Sequence, residues 1–337
     1  MPLKVAVIGA GIVGCLTAIK LKESGYDVTL IDKNEIGKES SWAGAGILFP
    51  LMPWDYESRV FELCTSAANF YKQFSSKLFK ITGIDSEFIE SGLVCIDPRG
   101  SENILNWAKN NNLNINEYSF LDQPSYLFPR VTQIRPPRLM KAIKLFMQEI
   151  GINIRENTTL IKPRKESHNI KSWSTTENEK IKADIFVITS GAWTSNLVIG
   201  HDDIIYPVRG QMIQYKKIEV NIKHVLYSND FYALQRKDGV ILAGSTVEHV
   251  GFDKNTDTTA LNELMKKTSI LIPELKDIIP ENHWAGIRPG SKGNIPVIKK
   301  AENYENIFIN SGHYRYGLTM APRSAEELYK VISESVG

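Results

Sequence analysis

The sequence predicts a mixed α/β protein: a parallel-sheet half, to which both chain ends belong, split by insertions of mostly β character. Three observations carry the prediction. The apolar run Val5 to Ile8 has the length and β-branching of a buried strand and leads into Gly9, Gly11 and Gly14. A second strand, Val28 to Ile31, ends on Asp32, 23 positions after Gly9. Between Val208 and Val250, period-2 and apolar runs such as Gly210 to Tyr215 and Val240 to Gly244 read as an antiparallel sheet.

The first of these has a mechanism. Gly9 permits a tight turn, Gly11 lets a pyrophosphate approach the backbone, and Gly14 lets the following helix pack on the strand. The helix is expected from Ile12 and Val13 to Ser24, with Gly25 at its exit. Asp32 stands where a carboxylate accepts from a ribose hydroxyl, with Lys33 beside it. Strand, glycines, helix, second strand and acid occur in order, so the reading is a Rossmann-like dinucleotide site. The fingerprint alone does not separate NAD from FAD.

Elements beyond it follow from periodicity. Arg59 to Leu78 reads as one amphipathic helix closed by Gly83. Phe88 to Ile96 reads as two short strands around a turn, Ser101 to Asn110 as a helix, and Leu121 to Pro129 as irregular. Pro136-Pro137 opens a helix that Gly151 ends. Ile152 to Arg155 and Ala183 to Thr189 are strands, and Leu261 to Leu271 is a helix. Ile307 to Asn310 is the last strand, followed by a turn and a final helix.

Composition excludes several function classes. Forty basic and 38 acidic side chains give a net charge of +2, which supports neither nucleic-acid binding nor membrane attraction. The basic stretch Lys162 to Lys165 is read as a solvated turn. The three cysteines form no C-x-x-C motif, and the six histidines lack ligand spacing, so no metal is expected. The fingerprint begins at residue 9, leaving no room for a signal peptide, and no run suggests membrane insertion. A cytoplasmic protein is expected; assembly of several copies is compatible with the chain but not fixed by it.

No nucleophile elbow or Walker lysine is present, so a bound cofactor is expected to carry the chemistry. Ser40, Ser41, Trp42, Ala43, Gly44, Ala45 and Gly46, with Leu48 beyond them, form a second candidate contact loop whose small residues expose backbone N–H groups. Thr189, Ser190 and Gly191, with Trp193 close behind, end a third strand where the ligand crevice of such sheets lies. Gly312, His313, Tyr314, Arg315, Tyr316, Gly317 and Leu318 form the turn before the last helix, whose N-terminus could face the electron-accepting end of a flavin. Arg288, framed by Gly286 and Pro289-Gly290, or Arg315 could offer a planar fork to a carboxylate.

Gly37-Lys38-Glu39-Ser40-Ser41-Trp42-Ala43-Gly44-Ala45-Gly46, followed by Pro53-Trp54, resembles the glycine oxidases of the D-amino-acid oxidase superfamily. So do Pro207 to Met212, Gly244 to Asp253, Trp284 to Gly290 and Ser311 to Leu318, in family order across most of the chain. The resemblance implies non-covalent FAD in a domain of the glutathione-reductase type, and a substrate domain on an antiparallel sheet. It implies residues 1–84, 135–206 and 286–337 for the first and 85–134 and 207–285 for the second. By family position Arg288 holds a substrate carboxylate, Tyr232 hydrogen-bonds beside it, and Arg315 lies near the substrate.

The implied activity is oxidation of a small amino acid, glycine foremost and also sarcosine or small D-amino acids, with oxygen as acceptor. The products are an imine, then glyoxylate and ammonia, and hydrogen peroxide; the imine could also feed thiamine thiazole synthesis. The alternative is a D-amino-acid dehydrogenase using another acceptor. A covalent-flavin sarcosine oxidase would need a late cysteine, and the last here is Cys95. Three positions depart from the family: Gln235 precedes Arg236, Tyr316 replaces a frequent Asn, and Asp230 stands where some relatives have His.

Overall fold

A computed structural model describes residues 1–96, 101–163, 168–197 and 205–336. Arg164, Lys165 and His201 lie outside the described residues.

The apolar run after the N-terminus becomes the strand Lys4–Ile8, buried from Val5 onward. It lies between two parallel partners, Asp27–Ile31 and Ile185–Ile188, with Val7 opposite both Leu30 and Val187. The complete sheet has six strands, in the order Val297–Lys300, Ile307–Ser311, Ile185–Ile188, Lys4–Ile8, Asp27–Ile31, Asn153–Arg155. The first of these is antiparallel to its neighbour, and the others are parallel. Strands buried on both faces need no alternation, which explains their continuous apolar runs. The helix Ile12–Glu23 and the last helix, Gly317–Val336, share one core with this sheet, through Cys15 and Ala18 on the first and Ala321, Ala325 and Leu328 on the last.

The second sheet has eight strands, in the order Asn282–Ser291, Ile205–Tyr215, Ile241–Gly244, Phe231–Gln235, Val225–Ser228, Leu93–Ile96, Gln123–Phe128, Asn116–Phe120. All neighbours are antiparallel except Val225–Ser228 against Leu93–Ile96. The helix Thr258–Leu271, capped by the Asp257 carboxylate on the Ala260 N–H at 2.8 Å, covers one face through Leu264 and Leu271.

Three expectations need correction. Arg59 to Leu78 is two helices, Ser58–Cys64 and Ala67–Thr82. The break falls at Thr65-Ser66, where the Thr65 hydroxyl donates to the Glu62 carbonyl at 2.9 Å and competes with helix continuation. Leu121 to Pro129 is not irregular: Gln123–Phe128 pairs with Asn116–Phe120 across a two-residue turn. Leu121 and Asp122 both adopt positive φ there, 49° and 59°, a turn usually marked by Asn-Gly and so invisible in this sequence. Of the two strands expected over Phe88 to Ile96, one forms, and Ile89 makes an isolated bridge to Gln133. Gly83 closes its helix as expected, at φ 70° with its N–H on the Phe79 carbonyl.

Candidate active site

The C-terminal ends of the three central parallel strands open on a cavity that continues to the face of the eight-stranded sheet. Gly9 follows the first strand at φ 109°, and a Cβ there would fall 2.6 Å from the Ser190 Cα. Gly14 packs its helix so closely that a Cβ would lie 1.8 Å from the Gly9 carbonyl oxygen. The helix therefore starts directly against the strand end, with Gly9, Gly11, Ile12 and Val13 on the cavity wall. The Ile12 N–H donates to the Ser41 hydroxyl at 2.9 Å, which ties the second loop to the first.

Asp32 lines the same cavity. Its carboxylate accepts from the N–H groups of Ala10, at 2.6 Å, and Asn34, at 2.8 Å. Burial nevertheless holds its pKa above the ordinary carboxylate value. Lys33 sits over the Trp193 ring at 3.4 Å, and burial lowers its pKa. Thr189 donates its hydroxyl to the Gly9 carbonyl at 2.7 Å, closing the third strand onto the glycine turn.

The loop that carries Ser40 to Gly46 is fixed from the other sheet. Ser40 donates to the Ile287 carbonyl, Trp284 donates its indole N–H to the Ala43 carbonyl at 3.1 Å, and Arg236 donates to the Ala45 carbonyl at 2.6 Å. Arg236 is 4% exposed and also donates to Gln133 and the Ile134 carbonyl. Burial brings its pKa down to about 10.

On the sheet side, Arg288 stands on the strand Asn282–Ser291. Its guanidinium donates to the carbonyls of Thr246, at 3.0 Å, and Arg209, at 3.3 Å, and to the Ser245 hydroxyl at 2.7 Å. All three acceptors are neutral, and among the described residues it forms no ion pair. Burial lowers its pKa. Tyr232, on Phe231–Gln235, directs its hydroxyl to the Met212 sulfur at 3.6 Å, a weak acceptor. Arg315 reaches the cavity from the turn before the last helix and pairs with Asp230 at 3.4 Å. The same turn brings in His313, Tyr314, Tyr316, Gly317 and Leu318.

The structure gathers all but four of the sequence-predicted residues on one cavity wall: Gly9, Gly11, Ile12, Val13, Asp32, Lys33, Ser40, Ser41, Ala43 to Gly46, Thr189, Ser190, Gly191, Trp193, Tyr232, Arg288 and His313 to Leu318. Gly14, Trp42, Leu48 and Gly312 are not on it; Trp42 is exposed and packs edge-on against Trp284. Gly14 serves helix packing, Leu48 is 4% exposed within the sheet-and-helix core, and the Gly312 carbonyl accepts from Ser291 at 2.6 Å. Sequence reasoning gave no role to Gly210, Met212, Ser245 or Thr246. Gly210 and Met212 lie in Pro207 to Met212, and Ser245 and Thr246 lie in Gly244 to Asp253; both stretches carry the family resemblance.

The family described as FAD dependent oxidoreductase matches residues 4–330. The chain belongs to this family of FAD-dependent oxidoreductases. It is 34% identical to a glycine oxidase of Pseudomonas aeruginosa, across 98% of this chain and 94% of that protein. It is 35% identical to a glycine oxidase of Pseudomonas putida, across 97% and 93%. A glycine oxidase structure from Bacillus cereus superposes with a TM-score of 0.89 at 24% identity, covering 99% of this chain and 96% of that one, which shows the shared fold. The resemblance read from the sequence is borne out, and the chain is an FAD-dependent amino-acid oxidase. Its cavity suits the cofactor: the wall at Gly9 and Gly11 carries no side chains, a helix begins there, and Asp32 lies beyond. No described helix is long and apolar enough to cross a membrane.

Proposed function

We propose that the chain oxidises a small amino acid, glycine foremost, to its imine, which water converts to glyoxylate and ammonia. Oxygen is the acceptor and leaves as hydrogen peroxide, so one amino acid, one oxygen and one water are consumed. The observation that carries the reading is Arg288, a cation in the cavity wall whose hydrogen bonds all go to neutral acceptors. Such a fork is poised to take a carboxylate in two parallel bonds.

FAD when bound supplies a two-electron acceptor. The residues of the glycine turn and the N-terminus of Ile12–Glu23 would hold its pyrophosphate, and Asp32 a ribose hydroxyl. The turn from Gly312 to Leu318 would face the other end of the cofactor. The protein's own contribution is orientation. Arg288 fixes the carboxylate. The Tyr232 hydroxyl, whose one partner among the described residues is a thioether, is free to donate to the same carboxylate. Met212, Tyr232, Phe49 and Leu51 wall the cavity and favour a small α-substituent. The amine proton leaves to water before oxidation.

A bifunctional ThiO/ThiG protein of Nostoc is 23% identical across 98% of this chain and 52% of its own length. That similarity supports supply of the imine to thiamine thiazole synthesis. The test is anaerobic addition of glycine, sarcosine, D-alanine and D-proline to the flavin-loaded protein, followed by a peroxide assay in air. Bleaching by glycine and stoichiometric peroxide are expected. Bleaching without peroxide would move the chain to the dehydrogenase reading.

A further inference from the structure

We propose that Asp230 is a charge gate that restricts the cavity to substrates with a single carboxylate. The inference rests on the reading of the cavity as a carboxylate site and adds which carboxylates it admits. Two guanidinium groups, Arg288 and Arg315, line the cavity. They differ in charge balance. Arg288 is held by two carbonyls and a hydroxyl. Arg315, with its side chain 11% exposed, has the Asp230 carboxylate 3.4 Å from Nη1, and its Nη2 is buried without a hydrogen-bond partner. Of the two cations, one is already neutralised by the protein.

The position of Asp230 suits a gate. It is the second residue of the turn joining Val225–Ser228 to Phe231–Gln235. Asn229 and Asp230 both take left-handed backbone, φ 47° and 61°, which closes a tight hairpin and sets the carboxylate at its tip. Tyr227, on the first strand of the hairpin, donates its hydroxyl to that carboxylate at 3.1 Å. The Asp230 side chain is 78% exposed while its partner is almost enclosed. The pair therefore straddles the boundary between cavity and solvent. Asp55 lies near enough for its carboxyl to be pushed up by burial and by Asp230, so a second acid stands close to the first. A monocarboxylate meets Arg288 with neutral partners only. A second carboxylate would have to displace Asp230 from Arg315 and would meet its repulsion. Asp230 itself lies in solvent and asparagine keeps its size, so the substitution changes the charge beside Arg315 without disturbing core packing.

The experiment uses flavin-loaded protein and non-reacting ligands in titration calorimetry: glycolate as the monocarboxylate, malonate and succinate as dicarboxylates of two spans. Asparagine tolerates left-handed backbone, so Asp230→Asn preserves the turn. The variant is expected to bind at least one dicarboxylate fivefold or more tighter than the parent, with glycolate affinity changed less than twofold. Asp230→Glu should restore the parental preference, and added salt should shrink the difference between parent and Asp230→Asn. If mono- and dicarboxylate affinities move by the same factor, or neither dicarboxylate tightens, Asp230 is not a gate. If glycolate fails to bind the parent at all, the carboxylate reading of the cavity falls and the gate with it.

Discussion

The Arg288 guanidinium occupies the space that a side chain at Gly210 would fill. A Cβ at 210 would lie 2.1 Å from both Nη1 and Nη2. The two residues stand on adjacent antiparallel strands, with Gly210 opposite Gly286 and Arg288 opposite Val208. Glycine is needed here for room, since the arginine's guanidinium lies against the neighbouring strand at this position.

Gly210→Ala therefore displaces the end of a flexible side chain rather than backbone. The fold and bound FAD should persist, while KM for the amino acid rises about tenfold or more, of order 1.4 kcal/mol. Steady-state kinetics beside flavin content checks this. An unchanged KM would show that the position of Arg288 does not govern substrate binding.

Asp32→Ala should weaken FAD retention at least about tenfold. The change removes a carboxylate that orders two backbone N–H groups, and each such charge-assisted bond contributes about 1.5–3 kcal/mol. FAD titration of the stripped protein by fluorescence measures the loss. Normal retention would remove the ribose assignment.

Arg236→Met should loosen the cofactor loop from a distance. It strips the donor from the Ala45 and Ile134 carbonyls and from Gln133, all at a buried site. A loss of about 3 kcal/mol or more is expected in urea unfolding, with faster FAD release. Equal stability of variant and parent would contradict the clamp.

His313 predicts an acid-side pH dependence. It is 1% exposed, its Nε2 has no hydrogen-bond partner, and burial pushes its pKa from 6.5 down to about 3. Below pH 6.5 the unfolded chain takes up a proton that the folded site refuses, so stability present above 6.5 is lost as pH falls towards 3. One such group contributes up to about 1.4 kcal/mol per pH unit in that window. His313→Phe should flatten the fall of ΔG with acid relative to the parent. Parallel curves would show that His313 is not buried neutral.

Much of this site is legible in the sequence because its first half is local. Gly9, Gly11, Gly14 and Asp32 follow one another within a single strand–helix–strand unit, and turn geometry there dictates residue type. Tyr232 has no such local signature, and family resemblance supplied it; the glycine and proline frame around Arg288 offered a carboxylate fork but did not separate it from Arg315, and the resemblance did. Gly210, Ser245 and Thr246 escaped because their roles exist only across the sheet, where strand register sets Gly210 under the arginine. Leu48 is off the cavity wall although Ile47, Phe49 and Leu51 line it, because its N–H turns to the Thr132 carbonyl at 2.9 Å and its side chain joins the sheet-and-helix core. The hairpin at Leu121-Asp122 was hidden by residues that rarely adopt the φ they take there.

The central claim is that this cavity presents an amino acid to FAD through Arg288. Anaerobic reduction of the bound flavin by glycine, compared between the parent and Arg288→Ala, tests it most directly. The account predicts bleaching of the parent, and in the variant an apparent affinity for glycine lower by about a hundredfold, the loss of a charged hydrogen-bonding partner worth roughly 1.5–3 kcal/mol. Absence of bleaching by glycine, sarcosine, D-alanine and D-proline, or an equal affinity in the variant, would contradict it.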